Sequence, residues 1–504
     1  MPSNGYQRYT PGERRKQRNK RIIIELVVCA VLILPTLFPP ANNFGKYLAQ
    51  KILFSKVTLQ PNSEGLKTWL NPPVDTTRNY YLFNITNPSD ITTDPSDTLI
   101  DVQDTPAYSY KVKTIKNNIQ WSDDNTKLSY EVERLITRDS NNFPVSSAND
   151  SGVFVNLLRA ILRTQYFKKP APTFFDIGGL DPFSQANPID LLEGFTSPLF
   201  DTIREKMVGP NTNLSGFVYR QNGSRLYNIS IDTNLNRKGQ VSTFSSELVS
   251  FNITSPNHYP FPIYDSVTYP TMLFDKPVLN IFHADFCRTI LLQYHRTVEL
   301  YAGISAFEYR VKFIDINNCT DPSDTTTCQE VDKLDVSSCI SSSLSNNTMF
   351  LSKAHFYGST EEVIKNMKIR GFNASREKHD SVVYFEPYTG SPLEASFRMQ
   401  LNIDATIDSM KVIDSGYKWK NKKGVERLIP IFWIDQVVKL DQNKINELKK
   451  AQTMMNYSKW FLFGLSIIVS ISFVIIMELC ARRLDRKKQN THKGYVKADT
   501  LVYH

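Results

Sequence analysis

The chain is poor in the residues that most often do chemistry, with six cysteines and seven histidines among 504 positions. It contains no H-E-x-x-H, no G-x-S-x-G and no P-loop, so the zinc-peptidase, serine-hydrolase and nucleotide-phosphate signatures are all missing. No CxxC or His-rich spacing offers a zinc site. His283, His355 and Asp176 stand alone, without a neighbour in sequence that would make a catalytic pair. The reading therefore assigns no catalytic residue, no metal and no cofactor. Repeats and low-complexity linkers are also lacking, which favours one large body over a string of modules.

A surplus of charge is missing too, once it is placed. The formal +9 invites a nucleic-acid reading. Residues 1–21 hold seven basic side chains against Glu13, and residues 481–504 hold seven against Asp485 and Asp499. With Glu25 and Glu478 assigned to the apolar runs, the interval between those runs is neutral. The basic excess is thus a signature of membrane topology and anionic lipid contact, and nucleic acid is not an expected partner.

What is present is hydrophobic length. Trp460–Cys480 (WFLFGLSIIVSISFVIIMELC) is long enough to cross ~30 Å of hydrocarbon, and it is followed at once by a basic cluster. Ile22–Phe38 is shorter and carries Glu25 and Pro35, so a cleaved signal peptide is the alternative to a retained anchor. The long basic leader, and prolines where a small-x-small cleavage site would stand, favour the anchor. The expected organisation is a cytosolic tail at 1–21, a membrane anchor at 22–40, an ectodomain at 41–459, a second span at 460–480 and a cytosolic tail at 481–504. Cys29 and Cys480 then lie near the cytosolic face, where thioacylation is chemically open.

Sequons occur at Asn84, Asn149, Asn213, Asn222, Asn228, Asn252, Asn318, Asn346 and Asn373, all between the two apolar runs. Their density marks a glycosylated surface, while Asn456 is too close to Trp460 for modification to be expected. Four cysteines remain outside the membrane, Cys287, Cys319, Cys328 and Cys339, and they permit three pairings. An oxidising compartment favours pairing, and loop length alone favours the local pair.

Strict alternation over Lys127–Glu133, after the turn Asp123-Asp124-Asn125, predicts a strand. Ser396–Ala405 places Phe397, Met399, Leu401, Ile403 and Ala405 on one face, the pattern of a half-buried strand. Asn79–Thr86 and Tyr108–Val112 are further strands. Helical spacing over Ser151–Phe167, with Arg159 and Arg163 at i, i+4, predicts a helix. Ile189–Lys206 reads as two shorter helical pieces split by Pro198. Gln442–Tyr457 should be a helix that feeds the second span, and Asn43–Lys56 one that leaves the first.

The order of several motifs resembles the class B scavenger receptors. Trp69-Leu70-Asn71-Pro72-Pro73 and Tyr81–Pro88 are similar to that family's W-x-x-P-P and F-x-x-x-N-P opening. Leu191–Phe195, Asp285-Phe286-Cys287-Arg288, Leu334–Cys339 and Ala354-His355-Phe356-Tyr357 resemble later motifs in the same order. Phe385-Glu386-Pro387-Tyr388-Thr389-Gly390 with Arg398-Met399-Gln400-Leu401 is close to the E-P-x-T-G and R-L-Q pair, and Pro430–Trp433 to P-I/L-L-W. There are departures: Asp104-Thr105-Pro106-Ala107-Tyr108 stands where relatives have G-P-Y, Arg398-Met399 replaces R-L, and no cysteine precedes Asn252.

The resemblance implies an α+β fold: an antiparallel β-barrel-like ectodomain with an apical helical bundle at about 151–206, an internal apolar tunnel and two transmembrane helices. It implies the disulfides Cys287–Cys339 and Cys319–Cys328. It also implies lipid partners (fatty acids, sterols, phospholipids) or lipoprotein-like particles, with protein ligands at the apex as a further class. Near the place of the apical basic residues this chain has Arg159, Arg163, Lys168 and Lys169, which would attract anionic ligands. Phe397, Met399, Leu401 and Ile403 are read as core. A plasma-membrane receptor is the expectation, with an endolysosomal sorting receptor for a lysosomal enzyme as the alternative. A two-span ligand-gated channel is disfavoured, because Ser466, Ser470 and Ser472 make no polar stripe.

Overall fold

A computed structural model describes residues 54–93, 98–144, 155–158, 183–193, 218, 225–246, 250–252, 261–321, 324–337, 349–404 and 428–500, with scattered positions between 20 and 51. The chain divides into two units, 54–445 on one side and 1–53 with 446–504 on the other.

The larger unit is built on one 17-stranded sheet. Its strands begin with β1 (Val74–Ile85), β2 (Ile100–Asp104), β3 (Tyr108–Trp121) and β4 (Lys127–Arg138). A separate two-stranded pair, β5 (Val155–Leu158) and β6 (Phe183–Ala186), comes next in the chain. Then follow β7 (Arg225–Asp232), β8 (Val241–Ser246), β9 (Ser250–Asn252), β10 (Ile263–Asp265), β11 (Leu279–His283), β12 (Arg288–Leu300) and β13 (Ile304–Lys312). The small pair β14 (Ile314–Cys319) and β15 (Cys328–Glu330) precedes β16 (Lys333–Asp335), β17 (Met349–Lys353), β18 (Ile369–Arg370), β19 (Val382–Phe385), β20 (Pro392–Asp404) and β21 (Leu428–Leu440).

Pairing runs from β8 through β7, β4, β3, β1, β21, β20, β19, β13, β12 and β11 to β10. The ring nearly closes, because Tyr264 of β10 bridges Gln240 just before β8 and the Asp265 amide donates to the Gly239 carbonyl at 2.8 Å. Closing a sheet on itself removes the exposed edges that would otherwise template aggregation. Most pairs are antiparallel; β10–β11 and β18–β2 are parallel. Where β20 meets β21 the register slips between Leu401 and Asn402, opposite Pro430, which has no N–H to give the ladder.

Register puts Tyr80 and Leu82 of β1 on one face with Phe432 of β21, Phe397, Met399 and Leu401 of β20 and Tyr110 of β3. All are buried in one apolar cluster that continues across β12 and β13 through Leu292, Phe307 and Tyr309. This is the inward face. The strands predicted at 127–133, 79–86 and 108–112 lie within β4, β1 and β3, and β20 covers most of 396–405, with Ala405 outside the described residues.

One correction concerns the opposite face of β20, which was expected to meet solvent. Ser396, Gln400 and Asn402 are buried as well. The covering chain, the neighbouring strands and β20 itself satisfy their polar groups: Ser396 Oγ donates to Asp435 of β21 at 2.9 Å, and Gln400 accepts the His355 amide at 2.8 Å and donates to Asn402 Oδ1 at 2.7 Å. Asn402 in turn donates to Ser352 Oγ at 2.9 Å, and Ser381 Oγ accepts the Arg398 amide at 2.8 Å. Alternation identified the strand correctly. It cannot tell a polar face in water from one covered by hydrogen-bonding chain.

A second correction falls in the proposed apical helix over Ser151–Phe167. Residues 155–158 form β5, paired antiparallel with β6. Four residues, Val-Asn-Leu-Leu, fit helix and strand alike, and β-branched Val155 finds a strand partner in Ala186, far along the chain. The rest of that helix, and 194–206 of the second, lie outside the described residues; Pro188–Glu193 is helical. Most of Ile22–Phe38 is also outside them, as is most of Asn43–Lys56, where residues 54–57 are helical. The helix Gln442–Thr500, which belongs to the smaller unit from Asn446 onward, runs unbroken through the second apolar stretch. Phe463–Cys480 is the one segment among the described residues that is long and apolar enough to cross a membrane.

Gly390 closes the turn between β19 and β20 with φ +66°, and a Cβ there would sit 1.9 Å from the Pro270 carbonyl oxygen. Gly358 has φ +87°, but its nearest neighbour is the end of the Lys353 side chain at 3.9 Å. Gly390→Ala should lower the unfolding midpoint of detergent-purified protein by ~5 °C or more, and Gly358→Ala by no more than ~2 °C. Thermal unfolding of both variants checks this.

Candidate functional site

Among the described residues, the apolar inward face is interrupted by a buried charged cluster. Arg78 of β1 and Arg134 of β4 both reach Asp285, on the turn between β11 and β12. Arg78 Nη2 lies 3.2 Å from Asp285 Oδ2, and Arg78 Nε donates to Gln436 of β21 at 3.0 Å. Burial pushes the Asp285 carboxyl up, but Arg134 and Arg78 outweigh it and hold the group well below the ordinary carboxylate range. Beside it, burial holds His283 down at about 4, so the ring is neutral. Its Nδ1 is buried without a hydrogen-bond partner. Phe286 and Phe397 pack against the same ring. The arrangement is an ionic knot inside a greasy shell.

The turn that delivers Asp285 is tightly specified. The Phe286 amide returns to the His283 carbonyl at 3.2 Å, Cys287 takes φ +49°, and Cys287 is disulfide-bonded. Two sequence motifs prove to be packing devices. Trp69 crosses Tyr130 edge-on at 4.8 Å and donates to Thr268 Oγ1 at 3.0 Å, while the buried Lys116 ammonium lies 4.2 Å over its ring. Burial brings Lys116 down to about 8, opposed by Asp265. In the E-P-Y-T-G turn, Glu386 accepts the Thr389 amide and hydroxyl, each at 2.7 Å, which fixes the reversal from β19 to β20.

Outside the barrel wall, three residues distant in sequence converge: Asp104 of β2, and His355 and His379 of the covering segment. His355 Nε2 lies 3.1 and 3.0 Å from the two Asp104 oxygens, and the two imidazoles stack at 4.1 Å. Their donor atoms are close enough together to hold a cation. The hydrogen bonds argue against one. Each Nδ1 accepts a backbone N–H, from Asn373 at 3.3 Å and from Ser375 at 2.8 Å. A neutral imidazole that accepts at Nδ1 carries its proton on Nε2, so the nitrogens turned toward Asp104 have no lone pair for a metal. The donor set does not fit a cation.

A third feature is an open groove of about 720 Å³ on the outer side of β1, β3 and β21, lined by Asn79, Tyr81, Ser109, Phe143, Val437 and Lys439 among others. Tyr81 is stacked on Trp433 at 3.9 Å, so one aromatic face is already used.

Of the residues singled out from sequence, Arg159, Arg163, Lys168 and Lys169 lie outside the described residues, as do Asn149, Asn213, Asn222, Asn346, Cys339 and Asp176. Asn84, Asn228 and Asn252 are on β1, β7 and β9; Asn318 and Asn373 are exposed. Cys319 and Cys328 form a disulfide, and Cys480 is a free thiol. His283 and His355, which looked partnerless in sequence, both sit in charged clusters. Sequence reading missed Arg78, Arg134 and His379 altogether; only the charge of the two arginines at inward-facing strand positions could have flagged them.

Replacing Asp285 leaves two guanidiniums buried in an apolar barrel, and Asp285→Asn should cost about 3–5 kcal/mol. The depressed native value means this contribution is present above the unfolded carboxyl value and is lost only as pH falls below it. The destabilisation of Asp285→Asn should therefore be the same at pH 7 as at about pH 5. Denaturant unfolding at the two values measures it.

Comparison with known proteins places these features in a lineage. The family model described as CD36 family matches residues 26–477. Sensory neuron membrane protein 1 of Apis mellifera is 22% identical over 509 residues, covering 93% of each chain. Lysosome membrane protein 2 of Homo sapiens is 24% identical over 459 residues, 86% of this chain and 87% of that one. Sensory neuron membrane protein 2 of Ostrinia furnacalis is 20% identical over 504 residues, 88% of this chain and 90% of that one.

Proposed function

The chain belongs to the CD36 family, and from that premise we propose that it is a class B scavenger receptor-like membrane glycoprotein. It binds lipids, lipoprotein-like particles or other anionic ligands at its apex and passes apolar lipid through the ectodomain to the bilayer. The observation that carries this reading is the nearly closed sheet with a largely apolar inward face. An apolar ligand moving along such a face stays out of water, at ~25 cal/mol for each Å² kept covered. The ligand classes are fatty acids, sterols and phospholipids, with protein ligands a further class at the apex.

The proposed topology keeps both tails cytosolic, around spans at 22–40 and 460–480, in the plasma membrane. The relatives named lysosome membrane protein favour a second setting, the endolysosomal membrane. The proposed glycans include those at Asn318 and Asn373, whose exposure supports them. The proposed partner of Cys287 is Cys339. Cys319 and Cys328 are already paired, Cys480 is a free thiol, and Arg288 Nε donates to the Asp335 carbonyl, four residues before Cys339. No catalytic role is proposed.

Charge at the apex is the testable part. Lys168→Glu with Lys169→Glu should reduce uptake of anionic lipid particles several-fold in expressing cells, with surface expression unchanged. Normal uptake at normal expression would remove the apex assignment.

A further inference from the structure

The stacked histidines on the outer wall have no role in lipid passage, and their hydrogen bonds give them a property of their own. His355 uses Nδ1 to hold the Asn373 amide and so ties the segment 372–380 back to the covering chain. His379 uses Nδ1 to hold the Ser375 amide and closes the turn 375–379 within that segment. An imidazole can gain a proton only at its lone pair, which here is Nδ1. Protonating His379 therefore sets its N–H against the Ser375 N–H and opens the turn 375–379.

We propose that the stacked His355–His379 pair is an acid-operated latch, in which one proton on His379 breaks the Ser375 bond, opens the turn 375–379 and loosens residues 372–380 against the barrel wall. The cover it restrains is under tension: His355 and Phe356 both occupy the left-handed region, with φ +52° and +50°, and neither is glycine. The Gln400 side chain holds the His355 amide against that strain. On the far side, Arg370 forks onto Asp101 at 2.6 Å through both nitrogens, and a Cβ on Gly371 would lie 2.0 Å from the Val102 carbonyl oxygen. That anchor does not titrate with the histidines, so it acts as the hinge while 372–380 moves.

The surroundings decide how His379 titrates. Facing it are Asp104 from β2, Arg398 from β20, Asp435 from β21 paired to Arg398, Lys378 beside His379, and Asp380 held by Arg310 of β13. Phe83, Phe372 and Trp433 complete the wall. Asp104 favours an imidazolium at His379, whereas the neighbouring ring, Arg398 and Lys378 oppose it. Burial first, and His355 next, hold His379 down at about 4. A group held down in the folded state stabilises it above its unfolded value, near 6.5, and loses that contribution progressively as pH falls toward 4. The working window is that of an acidifying endosome, not of the cell exterior.

Hydrogen exchange of the full-length protein in detergent, corrected for intrinsic rates, tests this. Opening at 372–380 should rise about 50- to 100-fold between pH 7.5 and 4.5, while β20 and β21 stay protected. His379→Asn together with His355→Asn keeps an acceptor oxygen in each Nδ1 position but cannot titrate, and should abolish the rise. Unchanged opening in the wild type, or an equal rise in the double variant, overturns the latch. Stoichiometric Zn²⁺ at pH 7.5 should leave these amides unaffected; extra protection would make the cluster a cation site and overturn the tautomer argument. If the double variant does not fold, His379→Asn alone, the wild-type pH series and the zinc arm still decide.

Discussion

Everything inside the barrel depends on one carboxylate. Asp285 stands between two guanidiniums in a space otherwise lined by Tyr, Phe, Leu and Ile. Two buried cations without it would be prohibitive. Its position comes from a turn in which the next residue but one, Cys287, is both disulfide-bonded and in a left-handed conformation. Covalent constraint fixes the turn, the turn fixes the carboxylate, and the carboxylate joins β1, β4 and β11. A barrel that must keep an apolar interior while strands cross it from distant parts of the chain gains register from such a knot.

The wall has two differently built sides. Inward, the side chains are apolar and their arrangement is set by packing. Outward, β20 carries Ser396, Arg398, Gln400 and Asn402, satisfied by the chain laid over them, by β17 and β21, and by one another. That division separates two functions by chemistry. The inner face suits a ligand that avoids water, and the outer layer, held by hydrogen bonds and titratable rings, suits response to the surrounding medium. Asp285 is held charged well into acid, so acid reaches His379 on the cover before it reaches the Asp285 knot.

Local pattern made the strands legible. Alternation over 127–133 and 396–405 and the turn at 123–125 needed only period-two burial, and the structure places β4, β20 and the β3–β4 hairpin there. The second buried face of β20 was not legible, because a polar side chain reads the same whether it meets water or a covering segment. At 155–158 too few residues were available for a period to speak, and the strand partner lay at 183–186. The site clusters were hidden for a different reason. Asp104, His355 and His379, like Arg78, Arg134 and Asp285, meet only through the fold, so each looked isolated in the chain. The ordered motifs pointed to the family, and Trp69, Glu386 and Gly390 within them turn out to hold the shape of the barrel.

The central claim is that the apolar interior is a passage for lipid. Protein purified from native membranes in mild detergent, freed of bulk lipid and then extracted for mass spectrometry, tests it most directly. The account predicts a restricted set of amphiphilic lipids retained near one or a few per chain and enriched over the membrane average. Recovery of no lipid beyond the bulk composition, from protein that still binds its particles at the apex, would contradict it and leave a docking receptor with a solid core.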